Sequence, residues 1–262
     1  MSIVTLENDL IHYEVLGRGR PVVFLHGWVG SWRYWIPTMQ ASSTSYRTYA
    51  LDLWGFGDTP NKPEKYSLEA QARLLNSFLD EMGIGKIALV GHGLGSLVGI
   101  YYGHLFPNTV DRLVLTGIPM NSAMVNPRLR NATMGDLTEW LLGKTSAADT
   151  ARAEAQKADP QAIHASLDAL ESINLLDLIM AMGMPCLFVQ GALDPVIELY
   201  PDDVFAQLPD YTHQIVFDGS GHFPMLDEPA RYNRLLADFL SLPSGESPRS
   251  LQIKDEWRRR IR

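Results

Sequence analysis

The chain has 262 residues, 46% of them hydrophobic and 20% charged, and its formal net charge is −8. These values are ordinary for a globular protein and leave enough apolar residues for a sizeable core. The negative charge argues against nucleic acid as a partner, and the single cysteine, Cys186, excludes a disulfide within the chain.

The N-terminal segment MSIVTLENDLIHYEV lacks the basic-then-apolar pattern of a secretion signal. No apolar run reaches the roughly 18 residues that a membrane-spanning helix needs. The lone cysteine fits a reducing compartment. We therefore expect a cytoplasmic protein without a membrane span, whose oligomeric state the sequence leaves open.

Short β-branched runs alternate with helical patterns along most of the chain. IVTL and IHYEV predict an N-terminal hairpin, and further strands are predicted at PVVFL, RTYALDL, KIALV, RLVLTG, PCLFVQG and HQIVFDG. Several of these runs are apolar on both faces, as in sheets that helices cover on both sides. Helical patterns lie at about 31–39, 67–82, 94–105 and 229–240. The alternation predicts an α/β protein with a mostly parallel sheet flanked by helices.

Residues 118–184 interrupt this alternation, because they contain helical patterns and no strand pattern. We predict a helical lid here, over a core made of 1–117 and 185–242, with four short helices in EWLLG, AADTARAEAQKAD, PQAIHASLDAL and INLLDLIMAMG. The remaining residues, 243–262, are predicted to form a linker and a basic tail with a short helix. That tail has four arginines in its last six residues, and it is either solvated or docks on another subunit or an anionic surface.

The loops that follow the predicted parallel strands are expected to carry the ligand site. Open parallel sheets bind their ligands beyond the carboxyl ends of the strands. Five loops rich in glycine, histidine and aspartate lie there: His26-Gly27-Trp28, Trp54-Gly55-Phe56-Gly57-Asp58, His92-Gly93-Leu94-Gly95, Ala192-Leu193-Asp194-Pro195 and His222-Phe223-Pro224.

The order and sequence motifs of these loops resemble those of the α/β-hydrolase superfamily, specifically its lid-bearing, esterase-like members. The motifs include HGW, DLWGFGD, GALD and GSGHFPMLDEP. The resemblance covers about residues 10–240 and implies the α/β-hydrolase fold with a helical lid insertion. It implies that His222 is the general base and that Asp194 orients and stabilises its imidazole. His26 and His92 are expected to be structural and to hydrogen-bond loop backbone.

The resemblance also implies an oxyanion hole made by two backbone N–H groups, those of Trp28 and Leu94. The partner expected from this site is a small apolar carbonyl-containing substrate or ligand, in a pocket lined by Trp28, Trp54, Trp140, Ile197 and Phe223. No cluster of histidine, cysteine and carboxylate has metal-ligand spacing, so no metal or other cofactor is predicted.

The resemblance fails at the nucleophile, where the pattern G-x-S-x-G reads Gly91-His92-Gly93-Leu94-Gly95. Gly93 leaves the nucleophile position vacant, so a covalent serine intermediate is impossible there. Neither Ser96, one turn deeper on the helix, nor Cys186 is expected to replace it. The missing CH₂OH should leave room for about one water beside His222. Gly93→Ser is then expected to raise aryl-ester hydrolysis at least about tenfold.

Three functions stay open. The first is hydrolysis of a small ester, lactone or thioester, in which His222, oriented by Asp194, activates water. The second is that of a non-catalytic pseudoenzyme that binds a small ligand. The third is that of a lyase or cofactor-free oxygenase that uses the same His–Asp pair as its base. If the natural protein has serine at position 93, it is instead an ordinary serine esterase.

Overall fold

One sheet of eight strands forms the centre of the computed structural model, which describes residues 2–201, 204–205 and 207–252, the Ala147 side chain excepted. The strands are β1 (Ser2–Leu6), β2 (Asp9–Gly17), β3 (Arg20–Leu25), β4 (Tyr46–Leu51), β5 (Ile87–His92), β6 (Val110–Thr116), β7 (Cys186–Gly191) and β8 (Thr212–Phe217). Their spatial order is β1-β2-β4-β3-β5-β6-β7-β8.

The predicted hairpin and the mostly parallel sheet are confirmed. β1 pairs antiparallel with β2, and β2 pairs antiparallel with β4, whereas the pairs from β4 across to β8 are all parallel. β5 and β7 are buried over almost their whole length, which explains their continuous apolar runs. Because the parallel strands run the same way, the loops that follow them meet at one edge of the sheet.

Helices cover both faces of this sheet or form the insertion between β6 and β7. In chain order they are α1 (Ile36–Ser42), α2 (Leu68–Glu81), α3 (Leu94–Leu105), α4 (Arg128–Asn131), α5 (Met134–Leu141), α6 (Ser146–Ala155), α7 (Pro160–Ala169), α8 (Leu175–Ala181), α9 (Pro224–Asp227) and α10 (Pro229–Ser241). Ser67 is the N-cap of α2, since its hydroxyl accepts the Ala70 N–H at 3.1 Å.

The first helix differs from its prediction. The sequence suggested one helix over about 31–39, but Trp32–Trp35 form a 3₁₀ turn and the α-helix starts only at Ile36. Pro37 explains the break, because a proline ring is tolerated in the first turn of an α-helix and not in its interior.

The structure describes all of residues 118–184, which consist of helices and the loops between them. Their one β-type pairing is an isolated bridge between Val125 and Ile197. Five helices, α4 to α8, lie here rather than the four predicted. The additional one, α4, has four residues and is too short to show a helical period in the sequence. The position between β6 and β7 agrees with the predicted insertion, and its action as a lid stays a prediction.

No described helix has both the length and the apolar character needed to cross a lipid bilayer. The cytoplasmic location expected from the sequence stays a prediction. The arginines of the basic tail and most of the predicted terminal helix fall in 253–262, outside the described residues.

Candidate active site

Gly93 lies at the tip of a sharp turn between β5 and α3. Its backbone angles are φ 49° and ψ −112°, a conformation that residues other than glycine rarely adopt. The Gly93 N–H donates to the Thr116 carbonyl at 2.9 Å. A Cβ at Gly95 would collide with the Leu25 carbonyl, so glycine there lets α3 start directly against β3. The turn predicted to be the nucleophile elbow is therefore a sharp strand-to-helix turn, and its tip carries no side chain.

His222 and Asp194, which follow β8 and β7, are brought together by the sheet. His222 Nδ1 donates to Asp194 Oδ2 at 2.8 Å, and both side chains are 2% exposed. The other carboxylate oxygen accepts the N–H groups of Val196 at 2.8 Å and Ile197 at 3.2 Å, which fixes the carboxylate in place. Among the described residues nothing hydrogen-bonds His222 Nε2. The imidazole is therefore held in one orientation with its second nitrogen free to act as a base.

A chain of hydrogen bonds holds the backbone of His222 from below. Neutral His92 donates from Nε2 to the His222 carbonyl at 2.9 Å and accepts at Nδ1 from the Tyr34 hydroxyl at 2.9 Å. Tyr34 in turn accepts the Gly27 N–H at 2.5 Å. Complete burial, with the nearby His222, keeps the pKa of His92 well below 6.5. His92 therefore stays neutral at physiological pH, in the one tautomer that this series of hydrogen bonds requires.

We expect Tyr34→Phe to lower the free energy of unfolding by about 1–3 kcal/mol for each buried group that it leaves unpaired, namely the Gly27 N–H and His92 Nδ1. Urea unfolding measures the change. Tyr101→Phe is the matched control, because Tyr101 is half-exposed and its hydroxyl has no hydrogen bond to any described residue. Equal losses in the two variants would show that the hydrogen bonds of Tyr34 contribute nothing to the free energy of unfolding.

The two backbone groups predicted to form an oxyanion hole are both free. Neither the Trp28 N–H nor the Leu94 N–H donates to another group in the part of the chain that the structure describes. Leu94 is the first residue of α3, where the N–H groups have no acceptor within the helix and the helix dipole is positive. Both N–H groups are therefore available as hydrogen-bond donors, as the predicted oxyanion hole requires.

The Trp28 side chain overturns one sequence-based expectation. Its ring atoms Cε3 and Cζ3 lie 2.8 and 2.9 Å from where a Cβ on Gly93 would sit. The indole also stacks on the His222 ring, with centroids 6.1 Å apart and planes at 16°. Its Nε1–H donates to Ser166 Oγ on α7 at 2.9 Å. The space expected to hold a water beside Gly93 is therefore filled by Trp28, which the helical insertion anchors.

The remaining residues expected to line a pocket are only partly brought to this place. Ile197 and Phe223 are buried next to the His–Asp pair, with the Phe223 ring 5.3 Å from that of His222. Trp54 instead lies under Lys65, whose Nζ is 4.5 Å from the ring centroid, in a surface hollow beside α2. Trp140 lies against Arg128 within the insertion, 4.6 Å from its guanidinium carbon. For these two tryptophans the structure shows packing against cations rather than contact with His222.

The alternative nucleophiles are occupied or inert. Ser96 is fully buried and its hydroxyl donates to the Thr116 carbonyl at 3.1 Å. Burial raises the pKa of the Cys186 thiol, which therefore stays protonated. His26 binds loop backbone, donating to the Gly27 carbonyl at 2.9 Å and accepting from the Leu53 N–H at 3.0 Å.

One group of possible metal ligands was not found by sequence spacing. His12, Asp52 and Asp58 each place one ligand atom within 4.8 Å of the others. Their atoms are already engaged: His12 Nδ1 lies 2.8 Å from Asp52 Oδ2, and Lys157 Nζ lies 2.8 Å from Asp58 Oδ1. We interpret the group as a hydrogen-bonded cluster that holds loops together.

Two residues with a direct effect on the site carried no sequence signal. Tyr34 lies in a 3₁₀ turn with no motif around it, and Ser166 lies in a helix 138 positions after Trp28, to which it hydrogen-bonds. A pairing over such a separation is visible only in three dimensions. Asp52, in DLWGFGD, belonged to a recognised loop, but its role as a buried acceptor was not apparent.

Comparison with known proteins agrees with the fold. A sequence model of the alpha/beta hydrolase fold family matches residues 20–156, just over half of the chain. The 2-hydroxy-6-oxo-6-(2'-aminophenyl)hexa-2,4-dienoic acid hydrolase of Metapseudomonas resinovorans is 25% identical over 254 residues, covering 87% of each protein. The pimeloyl-(acyl-carrier protein) methyl ester esterase of Vibrio parahaemolyticus is 23% identical over 254 residues, covering 87% of this chain and 97% of the esterase.

A solved structure is similar over nearly the whole chain. The meta-cleavage product hydrolase CumD of Pseudomonas fluorescens, in a variant complexed with acetates, superposes with a TM-score of 0.79 at 25% identity. The match covers 92% of this chain and 97% of that one. The family match and the eight-stranded, mostly parallel sheet agree, and the chain belongs to the alpha/beta hydrolase fold family.

Proposed function

We propose that this protein hydrolyses a small carboxylic ester, lactone or thioester without a covalent intermediate. His222 Nε2 takes a proton from a water whose oxygen bonds to the carbonyl carbon, and Asp194 stabilises the resulting imidazolium. The N–H groups of Trp28 and Leu94 stabilise the oxyanion. When the carbonyl re-forms, the bond to the alcohol or thiol breaks, and this leaving group takes the proton from His222. The observation that carries the proposal is the His222–Asp194 hydrogen bond of 2.8 Å, with a carboxylate fixed by two backbone N–H groups. The methyl ester esterase among the relatives supports an ester as the substrate class.

The position of Trp28 sets a condition on this reaction. Since its ring fills the space above Gly93, water must reach His222 Nε2 from another side or after the ring has turned aside. The site is also closed, with Trp28 fully buried and His222 2% exposed. A substrate therefore enters only when the helical insertion or the indole moves, and we expect slow turnover.

The test compares the purified protein with His222→Ala in the hydrolysis of short aryl esters. General base catalysis contributes about 10²–10⁴ to a rate, so the variant should lose at least about a hundredfold. Free imidazole groups on a protein surface also hydrolyse activated esters. His104→Ala is therefore the matched control, because it removes an exposed imidazole from α3 and should leave the rate unchanged.

Equal rates for the parent and His222→Ala would exclude catalysis by this base. Asp194→Asn adds a second readout, because it preserves the shape of the side chain and removes the charge that stabilises the imidazolium. We expect it to lower kcat while the fold, followed by circular dichroism, is retained.

A second candidate function is binding of a small carbonyl-containing ligand without turnover, and the filled space above Gly93 favours it. In this case the two free N–H groups donate to the ligand's carbonyl oxygen after Trp28 has moved, and His222 Nε2 accepts a hydrogen bond from a hydroxyl group of the ligand. A thermal-shift screen of esters, carboxylic acids and lactones distinguishes the candidates. Stabilisation without any hydrolysis supports binding, and no stabilisation by any compound counts against it. Neither the fold nor the site separately favours a lyase or oxygenase.

A further inference from the structure

A cavity of about 180 Å³ opens at the end of the sheet opposite His222. It is lined by residues at the starts of β3, β4, β5 and β6 and by Leu240 near the end of α10. The loops that carry Gly93, Asp194 and His222 follow the other ends of these parallel strands. The cavity is therefore separate from the candidate active site, and the proposed hydrolysis does not use it.

The charged residues that line this cavity are mostly cationic. The lining includes three cationic side chains, Arg20, Lys86 and Arg112, and one carboxylate, that of Asp111. Burial alone would raise the pKa of Asp111, but hydrogen bonds from Ser244 and Arg112 hold it below its usual value, so the carboxylate is ionised. Three positive charges and one negative charge leave an excess of two positive charges around the cavity.

Arg112 is the buried member of this group, with 1% of its surface exposed. Its Nε donates to Asp111 Oδ2 at 2.7 Å and its Nη1 donates to the Phe239 carbonyl at 2.6 Å. In the described residues Nη2 finds no hydrogen-bond partner. A buried guanidinium nitrogen without an acceptor is unfavourable. A small shift of the Arg112 side chain that brought Nη2 to an anion in the cavity would supply the missing hydrogen bond.

The other two cations are placed to complete such a site. Arg20 donates from Nη2 to the Leu240 carbonyl at 3.2 Å, which holds its guanidinium at the cavity wall. Lys86 Nζ is 3.7 Å from Asp111 Oδ1, too far for a hydrogen bond, and its side chain is 55% exposed. Lys86 can therefore turn toward a ligand with little loss.

We propose that this cavity binds a phosphate group, through Arg112 from the buried side and Arg20 and Lys86 from the rim. At roughly 30 Å³ for each water in the liquid, the cavity holds the equivalent of about six waters. That volume suits a phosphate ion or the phosphate of a small monoester.

The experiment titrates the purified full chain with inorganic phosphate, and in parallel with glycerol 3-phosphate, at constant ionic strength set by chloride. Calorimetry gives Kd and thermal unfolding gives the shift in Tm. We expect saturable binding of at least one of the two. Arg20→Gln and Lys86→Met should each weaken it about tenfold or more, as the loss of one charge-assisted contact predicts. Lys144→Met, which removes an exposed lysine of the insertion, should change nothing.

Asp111→Asn tests whether the charge of Asp111 weakens phosphate binding. It removes the negative charge that competes for Arg112, so phosphate should bind more tightly. If neither phosphate compound stabilises the protein more than chloride does, the proposal is wrong. It is equally wrong if the variants at Arg20 and Lys86 bind as the parent does. Hydrolysis of aryl esters is measured in the same variants and should be unchanged, so the outcome is independent of the proposed reaction.

Discussion

Gly93→Ser alone is expected to remain inactive as a serine esterase, whereas Gly93→Ser combined with Trp28→Ala is expected to form a covalent acyl-enzyme. The sequence suggested that the single change would suffice. The structure argues against this, because the new Cβ would lie 2.8 Å from Trp28 Cε3, closer than unbonded carbon atoms approach. Either the side chain or the indole must be displaced.

Displacing the indole of Trp28 is energetically costly. The indole is fully buried and stacked on His222, and its N–H donates to Ser166. Overpacking of a filled site costs about 1–3 kcal/mol. The positive φ of 49° at Gly93 adds strain for any residue with a Cβ. The single variant should thus be less stable, with its hydroxyl pushed away from the line to His222.

Removing the indole should change this result. Trp28→Ala alone costs about 3–5 kcal/mol, as loss of a large buried side chain does. The added serine then partly fills the gap, so the stability losses of the two changes should not add. The predicted oxyanion donor at position 28 is a backbone N–H and would survive the change. With His222 already held by Asp194, the double variant has every group that acyl transfer requires.

Covalent labelling by a fluorophosphonate, followed by mass spectrometry, measures the outcome directly. The double variant should be labelled at position 93 and show a burst in aryl-ester hydrolysis, and the single variant should show neither. Gly143→Ser is the control, because Gly143 is exposed and a Cβ added there would meet nothing within 4 Å. Trp28→Leu replaces Trp28→Ala if the latter is too unstable. A labelled single variant would show that Trp28 does not block the position.

The fold was accessible from sequence because its signals are local. The alternation of β-branched runs with helical periods predicted the sheet. Ser67 as an N-cap and Pro229 as a first-turn proline marked two helix starts to within one residue. The pairing of His222 with Asp194 was implied by the family resemblance, and it can form because the loops after parallel strands share one edge of the sheet.

The rest of the site was not accessible, because it depends on side-chain orientation between distant segments. Nothing in HGW shows that the Trp28 ring turns over Gly93, or that Ser166 on α7 holds it there. Aromatic type alone predicted that Trp54 and Trp140 line the site, whereas each packs against a cation elsewhere. Apolar character predicts that a residue is buried, and it does not predict against what.

The second large effect is expected at Asp52, where Asp52→Asn should lower the free energy of unfolding by about 3–5 kcal/mol. Asp52 directly follows β4 and is fully buried. One oxygen accepts the Trp32 N–H at 3.0 Å, and the other accepts His12 Nδ1 at 2.8 Å and the Asp58 N–H at 3.0 Å. An asparagine has one acceptor oxygen, so its NH₂ group would face at least one of these donors.

The same substitution should remove a dependence of stability on pH. Burial lowers the pKa of His12, but the hydrogen bond to Asp52 and its charge outweigh burial and raise the pKa above 6.5. The folded protein therefore keeps a proton on His12 that the unfolded chain loses first. Stability from this pair is complete below about pH 6.5 and falls as the pH rises through the folded pKa of His12. Without the charge of Asp52 this fall should be much smaller.

Urea unfolding between about pH 6 and about pH 8.5, across the range where histidine titrates, separates the two parts of this prediction. The control is Asp168→Asn, because the Asp168 side chain is 62% exposed and pairs with Arg130 at the surface. Such a pair contributes about 0–1 kcal/mol, and its loss should leave the pH profile intact. If Asp52→Asn cost no more than the control, the buried carboxylate would not hold these loops. If it lowered stability equally at every pH, the loss would come from the backbone donors alone, and His12 would take no part.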